Sequence, residues 1–174
     1  MKMRGVLLAG AVVLSCLAVT GRAQAQSIYL DIAGVQGEVV TPAAFANQIE
    51  VLSISLGGVR ACGTGQLSMS SVNFMKNTDR STVELSTAMR DGAVYGTATF
   101  RFTRSDGQVY QTYVLSNARV ETLQTSGSAG GSPRTTESVS LVFSQLTISY
   151  QYFDGSGKAS GALETMTFTA GPCN

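Results

Sequence analysis

The chain lacks histidine and tryptophan altogether, and it carries few charges. Of its 174 residues only 13% are charged, with 12 Lys and Arg against 11 Asp and Glu, and there are 3 Pro and 3 Cys. Without histidine, the commonest metal ligand and the commonest general base near neutral pH are missing. This excludes Ser-His-Asp hydrolases, Cys-His proteases and His-ligated zinc enzymes. The net charge of +1 argues against a nucleic-acid partner, which requires a basic surface.

The first 25 residues have the three-part layout of a secretory leader. Lys2 and Arg4 form a positive start, residues 5–19 are apolar or small, and Ala23-Gln24-Ala25 is a small-x-small cleavage pattern. The apolar stretch is about 15 residues long, whereas a membrane-spanning helix needs about 20. The pattern therefore predicts a signal peptide over residues 1–25.

Cleavage between Ala25 and Gln26 leaves residues 26–174 as one exported domain, secreted or periplasmic and without a membrane segment. An uncleaved anchor and a lipoprotein cut before Cys16 are the alternatives. The leader contains three basic residues, so its removal leaves 9 basic against 11 acidic residues, a net charge of −2. The length of this domain suits a single core.

Two cysteines, Cys62 and Cys173, remain after the leader is removed. An even pair in an oxidising compartment favours a disulfide, which would attach the C-terminal tail to the loop at residues 57–65. Two unpaired thiols are the alternative, although neither segment is apolar enough to favour buried cysteines.

Apolar and polar residues alternate with a period of two over most of the exported domain, which predicts half-buried β-strands. Residues 96–104, for example, place Ala98, Phe100 and Phe102 on one face. The longest run, residues 137–153, changes parity near Ser144, and this predicts a bulge or sharp bend. Eight or so strands with short turns predict a mainly β fold, either a closed barrel or a sandwich.

One segment has a helical pattern instead. Ser81 and Glu84 have the spacing of a capping box, Leu85 and Ala88 follow at helical spacing, and Gly92 supplies a C-terminal stop. We therefore expect a short amphipathic helix whose apolar face covers part of the sheet.

Catalytic, metal and cofactor sites are not indicated. The 11 carboxylates are scattered singly, and Glu121 and Glu137 would have to meet by chance to act as a glycosidase pair. Asp154-Gly155-Ser156-Gly157 lacks the further acidic ligands of a calcium loop and indicates a turn. The glycine-rich stretch at residues 126–133 precedes a strand, so it indicates a loop and not a phosphate cradle.

A colinear set of segments closely resembles the haemolysin-coregulated protein (Hcp) family, the tube protein of type VI secretion. The resemblance spans nearly all of residues 28–169, and no single motif decides it. Its main segments are residues 49–55, Phe74-Met75-Lys76, Asp79-Arg80-Ser81-Thr82, the helix with Leu85, Ala88 and Gly92, the hairpin with Tyr95, Ala98 and Gly107, and residues 137–145 with Ile148 and Tyr150.

The resemblance implies a closed or two-sheet β-barrel with one short flanking helix, assembling into hexameric rings without catalysis or cofactors. In the family such rings stack into a tube whose lumen carries small effectors, so secretion-system components and effectors are the implied partners. Three features depart from the family. Typical tube proteins lack a signal peptide, and the ring-stacking loop that contains Gly57, Gly58, Val59 and Arg60 is short. Val83 stands where many members have Pro at the start of the helix.

A secreted β-barrel that binds a glycan or a small apolar ligand is the alternative function. Its binding residues would be exposed aromatics, with Tyr110, Tyr113, Tyr150 and Tyr152 as the candidates. Packing of these side chains in the core or at an interface is the other explanation for them.

Overall fold

The computed structural model describes residues 26–60, 67–127 and 134–170. Within these ranges the chain forms eleven β-strands, a 3₁₀ turn at Ala43–Phe45 and one α-helix. In chain order the elements are β1 (Ser27–Ile32), β2 (Ile49–Val51), β3 (Ser53–Ser55), β4 (Gly58–Arg60), β5 (Leu67–Met69), β6 (Val72–Asn77), α1 (Ser81–Asp91), β7 (Tyr95–Thr103), β8 (Val109–Ser126), β9 (Thr136–Val142), β10 (Gln145–Tyr150) and β11 (Glu164–Thr169).

Two antiparallel sheets share the long strand β8. The first sheet has the order β2-β1-β7-β8-β10-β11, and the second continues from the C-terminal part of β8 in the order β8-β9-β6-β3. The chain passes from one sheet to the other where β9 ends and β10 begins, next to Ser144. The bulge or sharp bend that the change of parity near Ser144 predicted within one strand is instead a break between β9 and β10, and its cause is a change of sheet.

The bend of β8 is fixed by contacts of its residues 116 and 117 with Ser144. Asn117, between the two halves of β8, has the left-handed φ of 51°, a region that asparagine tolerates better than most residues. The backbone amide of Ser144 donates to the Ser116 carbonyl at 2.9 Å, and the Asn117 side-chain amide donates to the Ser144 hydroxyl at 2.9 Å. These bonds hold the corner at which both sheets meet.

The molecule is a two-sheet β-barrel, as predicted, but among the described residues its hydrogen-bonded ladder does not close. Strands β2 and β3 end the main strand path, from which β10 and β11 branch at β8, and Leu52 joins β2 to β3 along the chain. The Leu52 amide donates to the Met75 carbonyl at 2.7 Å, so the chain itself crosses from one sheet to the other here. The expectation of a closed barrel is corrected to this open, two-sheet form.

The core lies between the two sheets. Phe74 on β6 and Phe100 on β7 meet edge to face with ring centroids 5.5 Å apart, a favoured geometry for aromatic pairs. The inward residues predicted from the alternation, Ala98, Phe100 and Phe102, are all buried. Outside the barrel, Phe45 of the 3₁₀ turn stacks on Tyr29 at 4.4 Å and covers the outer face of β1.

The predicted helix is confirmed as α1. Leu85 and Ala88 are buried and pack in the core cluster, and α1 contacts β8. Gly92 ends the helix with a φ of 64°, the left-handed conformation in which glycine carries no steric penalty. Both the helical spacing and the stop signal were readable in the sequence.

The start of the helix differs from the predicted capping box of Ser81 and Glu84. The Ser81 amide donates to the Asp79 carboxylate at 3.0 Å, and Glu84 accepts from the Gln36 amide at 3.0 Å. The reciprocal bond that a capping box needs comes from Thr82, whose hydroxyl accepts from the Asp79 amide at 3.2 Å. Asp79 and Thr82 therefore form the reciprocal bonds that were predicted for Ser81 and Glu84, and the Glu84 carboxylate accepts from Gln36 instead.

Several predictions fall outside the described residues. These are the signal peptide with Ala25, both cysteines of the predicted disulfide, Cys62 and Cys173, and most of the glycine-rich loop. Within the described ranges no helix combines the length and the apolar character needed to cross a membrane.

Candidate assembly surfaces

The predicted ring-stacking residues lie at the start of a separate two-stranded arm. Strand β4, which contains Gly58, Val59 and Arg60, pairs with β5 and with no strand of the two sheets among the described residues. All three β4 residues are exposed, and Val59 is 70% exposed.

The base of the arm is held by Ser70 and Gly57. The Ser70 amide and hydroxyl both donate to the Gly57 carbonyl, at 2.9 and 2.7 Å, and the Gly57 amide donates to the Ser70 hydroxyl at 3.1 Å. Leu56 and Met69 pack against the core from the same end of the arm. The arm is therefore anchored at its base while β4 is exposed.

A second surface is the open edge of β11. Among the described residues β11 pairs with β10 alone. The Ala170 amide donates to the Ser144 carbonyl at 2.9 Å, so Ala170 and every second residue before it direct their backbone groups toward β10. The residues between them, Thr165, Thr167 and Thr169, direct their N–H and C=O groups away from β10. These groups form an unpaired edge that is able to accept a strand from another chain.

Apolar side chains accompany this edge. Met166 is 60% exposed, and Leu163 just before β11 is also exposed. Alternation places Met166 on the face of the strand that carries Phe168, which packs against the core. A cavity of about 200 Å³ lies there, lined by Ile148, Tyr150, Glu164, Thr165 and Met166. The edge thus combines unpaired backbone groups with an exposed apolar surface.

A buried ionic cluster joins α1 to the second sheet. Lys76 and Glu137 are fully buried and face each other on β6 and β9, with Nζ 2.7 Å from the carboxylate of Glu137. The same Nζ lies 2.9 Å from the Asp79 carboxylate and 3.2 Å from the Thr82 hydroxyl. Each charge therefore has a partner, which burial requires.

Sequence reasoning did not single out this cluster, although a signal was present. Lys76 occupies the same face of its strand as the buried Val72 and Phe74, and Glu137 the same face as Val139. Two opposite charges at inward positions of two strands indicate a buried pair once the strands are known to be neighbours. The pairing of β6 with β9 links residues 61 positions apart and was not readable from the pattern.

The Asp154 segment forms a turn, as predicted. The Asp154 carboxylate accepts from the backbone amides of Ser156 and Lys158 at 2.9 and 3.0 Å. The pKa of Asp154 is lowered, chiefly by the hydrogen bond from the Ser156 hydroxyl and further by the Lys158 amide. Within the described ranges, no group of three or more Asp, Glu, Cys or His side chains is arranged to hold a metal ion.

The four candidate aromatics have different environments. Tyr113 packs against the core, with its ring 4.9 Å from that of Phe102. Tyr110, Tyr150 and Tyr152 line one cleft, and Tyr110 also packs against the core. Three of the four predicted residues therefore line the same cleft, and Tyr113 is not among its lining residues.

The two-sheet barrel, the flanking helix and the projecting arm define a structural β-barrel of the kind found in type VI secretion. The family described as "Type VI secretion system effector, Hcp" matches residues 29–150, which is more than half of the chain. The chain therefore belongs to the Hcp family, whose members are structural tube proteins and not enzymes.

Solved structures agree with this assignment. A structure described as a type six secretion system protein is 25% identical, has a TM-score of 0.77, and covers 83% of this chain and 96% of its own. Hcp1 from Salmonella typhimurium is 24% identical with a TM-score of 0.70, over 83% and 95% of the two chains. The secreted protein Hcp3 from Pseudomonas aeruginosa is 15% identical with a TM-score of 0.64, over 85% and 100%. Among curated proteins no significant match is found.

Proposed function

We propose that copies of this chain assemble into hexameric rings through the open edge of β11. The observation that carries the proposal is the row of backbone groups at Thr165, Thr167 and Thr169 that lacks a partner strand among the described residues. Pairing with a neighbouring copy satisfies these groups and covers the exposed Met166. A closed ring repeats the same contact around its axis and leaves no copy of the β11 edge open.

The arm formed by β4 and β5 is the contact between one ring and the next in this proposal. Its support is the exposure of Gly58, Val59 and Arg60 and the hydrogen-bonded anchor at its base. Stacked rings form a tube, and its lumen provides a route for small effector proteins. Secretion-system components are the further partners.

The protein acts outside the cytoplasm in this account, after cleavage between Ala25 and Gln26. Secretion through the type VI apparatus is the general property of its family, whereas a signal peptide points to the periplasm or beyond. In the oxidising compartment, Cys62 and Cys173 form a disulfide that connects the chain just beyond Arg60 to the C-terminal tail.

Substitution of Thr167 tests the ring. Thr167→Pro removes an N–H that points away from β10, so it leaves the β10 ladder intact and blocks pairing with a neighbour. Thr167→Val keeps the N–H and is the matched control. In sedimentation, the wild type and Thr167→Val have about six chain masses, and Thr167→Pro has one. Equal masses for Thr167→Pro and the wild type would show that β11 is not the ring contact.

A further inference from the structure

An aromatic cleft lies beside the end of β10, apart from the arm. Its volume is about 470 Å³, and it is lined by Gln26, Arg104, Ser105, Tyr110, Tyr150, Tyr152 and Phe153. Small-molecule sites span about 300–1,000 Å³ and combine apolar walls with a few placed polar groups. The cleft has this size and this composition.

The floor of the cleft is preformed by ring contacts. Tyr110 and Tyr150 meet at 81° with centroids 6.2 Å apart, and Tyr110 also contacts the buried Phe102. The Gln26 side-chain amide donates to the Tyr110 hydroxyl. Tyr152 stands at the rim and is 60% exposed, so its ring is open to a ligand without any rearrangement of the core.

The charges around the cleft disfavour an ionic ligand. The Arg104 guanidinium carbon lies 4.5 Å from the Phe153 ring centroid, which opposes a second cation at the same ring. Arg104 also lies 3.5 Å from the Asp106 carboxylate, and Asp154 is close enough for Arg104 to contribute to its lowered pKa. An anionic ligand would compete with both carboxylates for a single guanidinium.

The remaining chemistry fits a neutral molecule with flat apolar faces and hydroxyl groups at its edges. A pyranose ring presents C–H groups on its faces and hydroxyls around its rim. Tyrosine rings match the faces, and the polar tips of Gln26, Ser105 and the tyrosines match the rim, since tyrosine combines an apolar body with a polar end. We propose that this cleft binds a neutral oligosaccharide, with one sugar ring stacked on Tyr152. Tyr150 also lines the cavity beside β11, whereas Tyr152 lines the cleft and not that cavity.

The test is titration of the purified protein with cellotriose, maltotriose and tri-N-acetylchitotriose, followed by saturation-transfer NMR and calorimetry. We expect at least one of these probes to bind with a Kd of about 1 mM or tighter, as for an open cleft that offers few contacts. Tyr152→Ala lowers the affinity at least about tenfold. Tyr152→Phe keeps the ring and stays close to wild type.

Two further variants complete the test. Ser105→Trp places a large side chain at an exposed rim position, blocks the cleft and abolishes binding. Val83→Ala, on the exposed face of α1, leaves binding unchanged. Retained thermal unfolding temperatures check that the variants are folded.

Three results would overturn the proposal. One is no binding by any of the three neutral probes, and another is equal binding by the wild type and Tyr152→Ala. The third is a preference for trigalacturonate or choline, which would assign the cleft to a charged ligand. If Tyr152→Ala lowers the particle mass and no sugar binds the wild type, the cleft is a contact between copies and not a sugar site. Thr167→Pro is expected to fail to form rings but still to bind sugar. Failure of the ring proposal is therefore distinguishable from failure of the sugar-binding proposal.

Discussion

The Lys76 Nζ lies 2.7 Å from a Glu137 carboxylate oxygen, and neither side chain is exposed to solvent. The two residues are directly opposed on β6 and β9. Because Asp79 at the start of α1 lies 2.9 Å from the same Nζ, the pair also attaches the helix to the second sheet. Burial makes the two charges dependent on each other, since either one alone would be left desolvated.

Removal of one member of this pair is expected to destabilise the protein strongly. Lys76→Met leaves the Glu137 carboxylate buried without its cation and lowers the free energy of unfolding by about 3–5 kcal/mol. Lys76→Met combined with Glu137→Leu removes the two opposed charges and recovers part of that loss, because Asp79 still loses its cation but keeps its hydrogen bonds from Ser81. Urea unfolding of the two variants measures the difference.

The exposed pair of Arg101 and Asp31, 3.1 Å apart, is the control. Arg101→Met is expected to cost less than about 1 kcal/mol, because solvent screens surface ion pairs. A similar cost for Lys76→Met and Arg101→Met would contradict the role given to the buried cluster.

The start of α1 gives a second prediction. Asp79→Ala removes the acceptor of the Ser81 amide and is expected to lower the free energy of unfolding by at least about 1 kcal/mol, the usual cost of a lost helix cap. Glu84→Ala is expected to cost less than Asp79→Ala, because Glu84 accepts only an exposed bond from the Gln36 amide. Thermal and urea unfolding of both variants make the comparison. A larger loss of unfolding free energy for Glu84→Ala than for Asp79→Ala would contradict this assignment and support the capping box of Ser81 and Glu84.

The arm gives a third prediction. Val59→Asp places a charge on the exposed strand β4 and is expected to prevent ring stacking while leaving single rings intact, since a charge buried in a contact is costly. Val83→Asp, at an equally exposed position on α1, is the matched control and keeps stacking. Electron microscopy counts stacked and single rings. Unchanged stacking in Val59→Asp would remove the arm from the interface.

The proposed disulfide gives a fourth prediction. Mass spectrometry of the exported protein after alkylation without reduction is expected to find no labelled thiol and an N-terminus at Gln26. Cys62→Ser is expected to lower the free energy of unfolding by about 4–5 kcal/mol, because the bridge closes a loop of more than 100 residues. Two alkylated cysteines in the untreated protein would rule the bridge out.

The local elements could largely be predicted from the sequence, because alternation and helix signals depend on near neighbours. The helix, its stop at Gly92 and the change of parity near Ser144 all belong to this group. The capping box was misassigned because Ser81 and Glu84 fit the motif as written, while Asp79, two residues earlier, competes for the same amides. The spacing of residues in the sequence does not show which of the two carboxylates, Asp79 or Glu84, accepts the hydrogen bond.

The features that could not be predicted depend on pairing between strands that are far apart in the sequence. The opposition of Lys76 and Glu137, the crossing of the chain at Leu52 and the gathering of Tyr110, Tyr150 and Tyr152 all require the order of strands in space. Family resemblance indicated the barrel and its assembly. It did not show that Tyr113 lies outside the cleft that Tyr110, Tyr150 and Tyr152 line.

Electron microscopy of the purified protein, with image averaging, shows whether copies of this chain form rings through β11. We expect closed rings of six protomers in which β11 of each copy lies against its neighbour. Single protomers at high protein concentration, or rings whose β11 edge faces solvent, would contradict it.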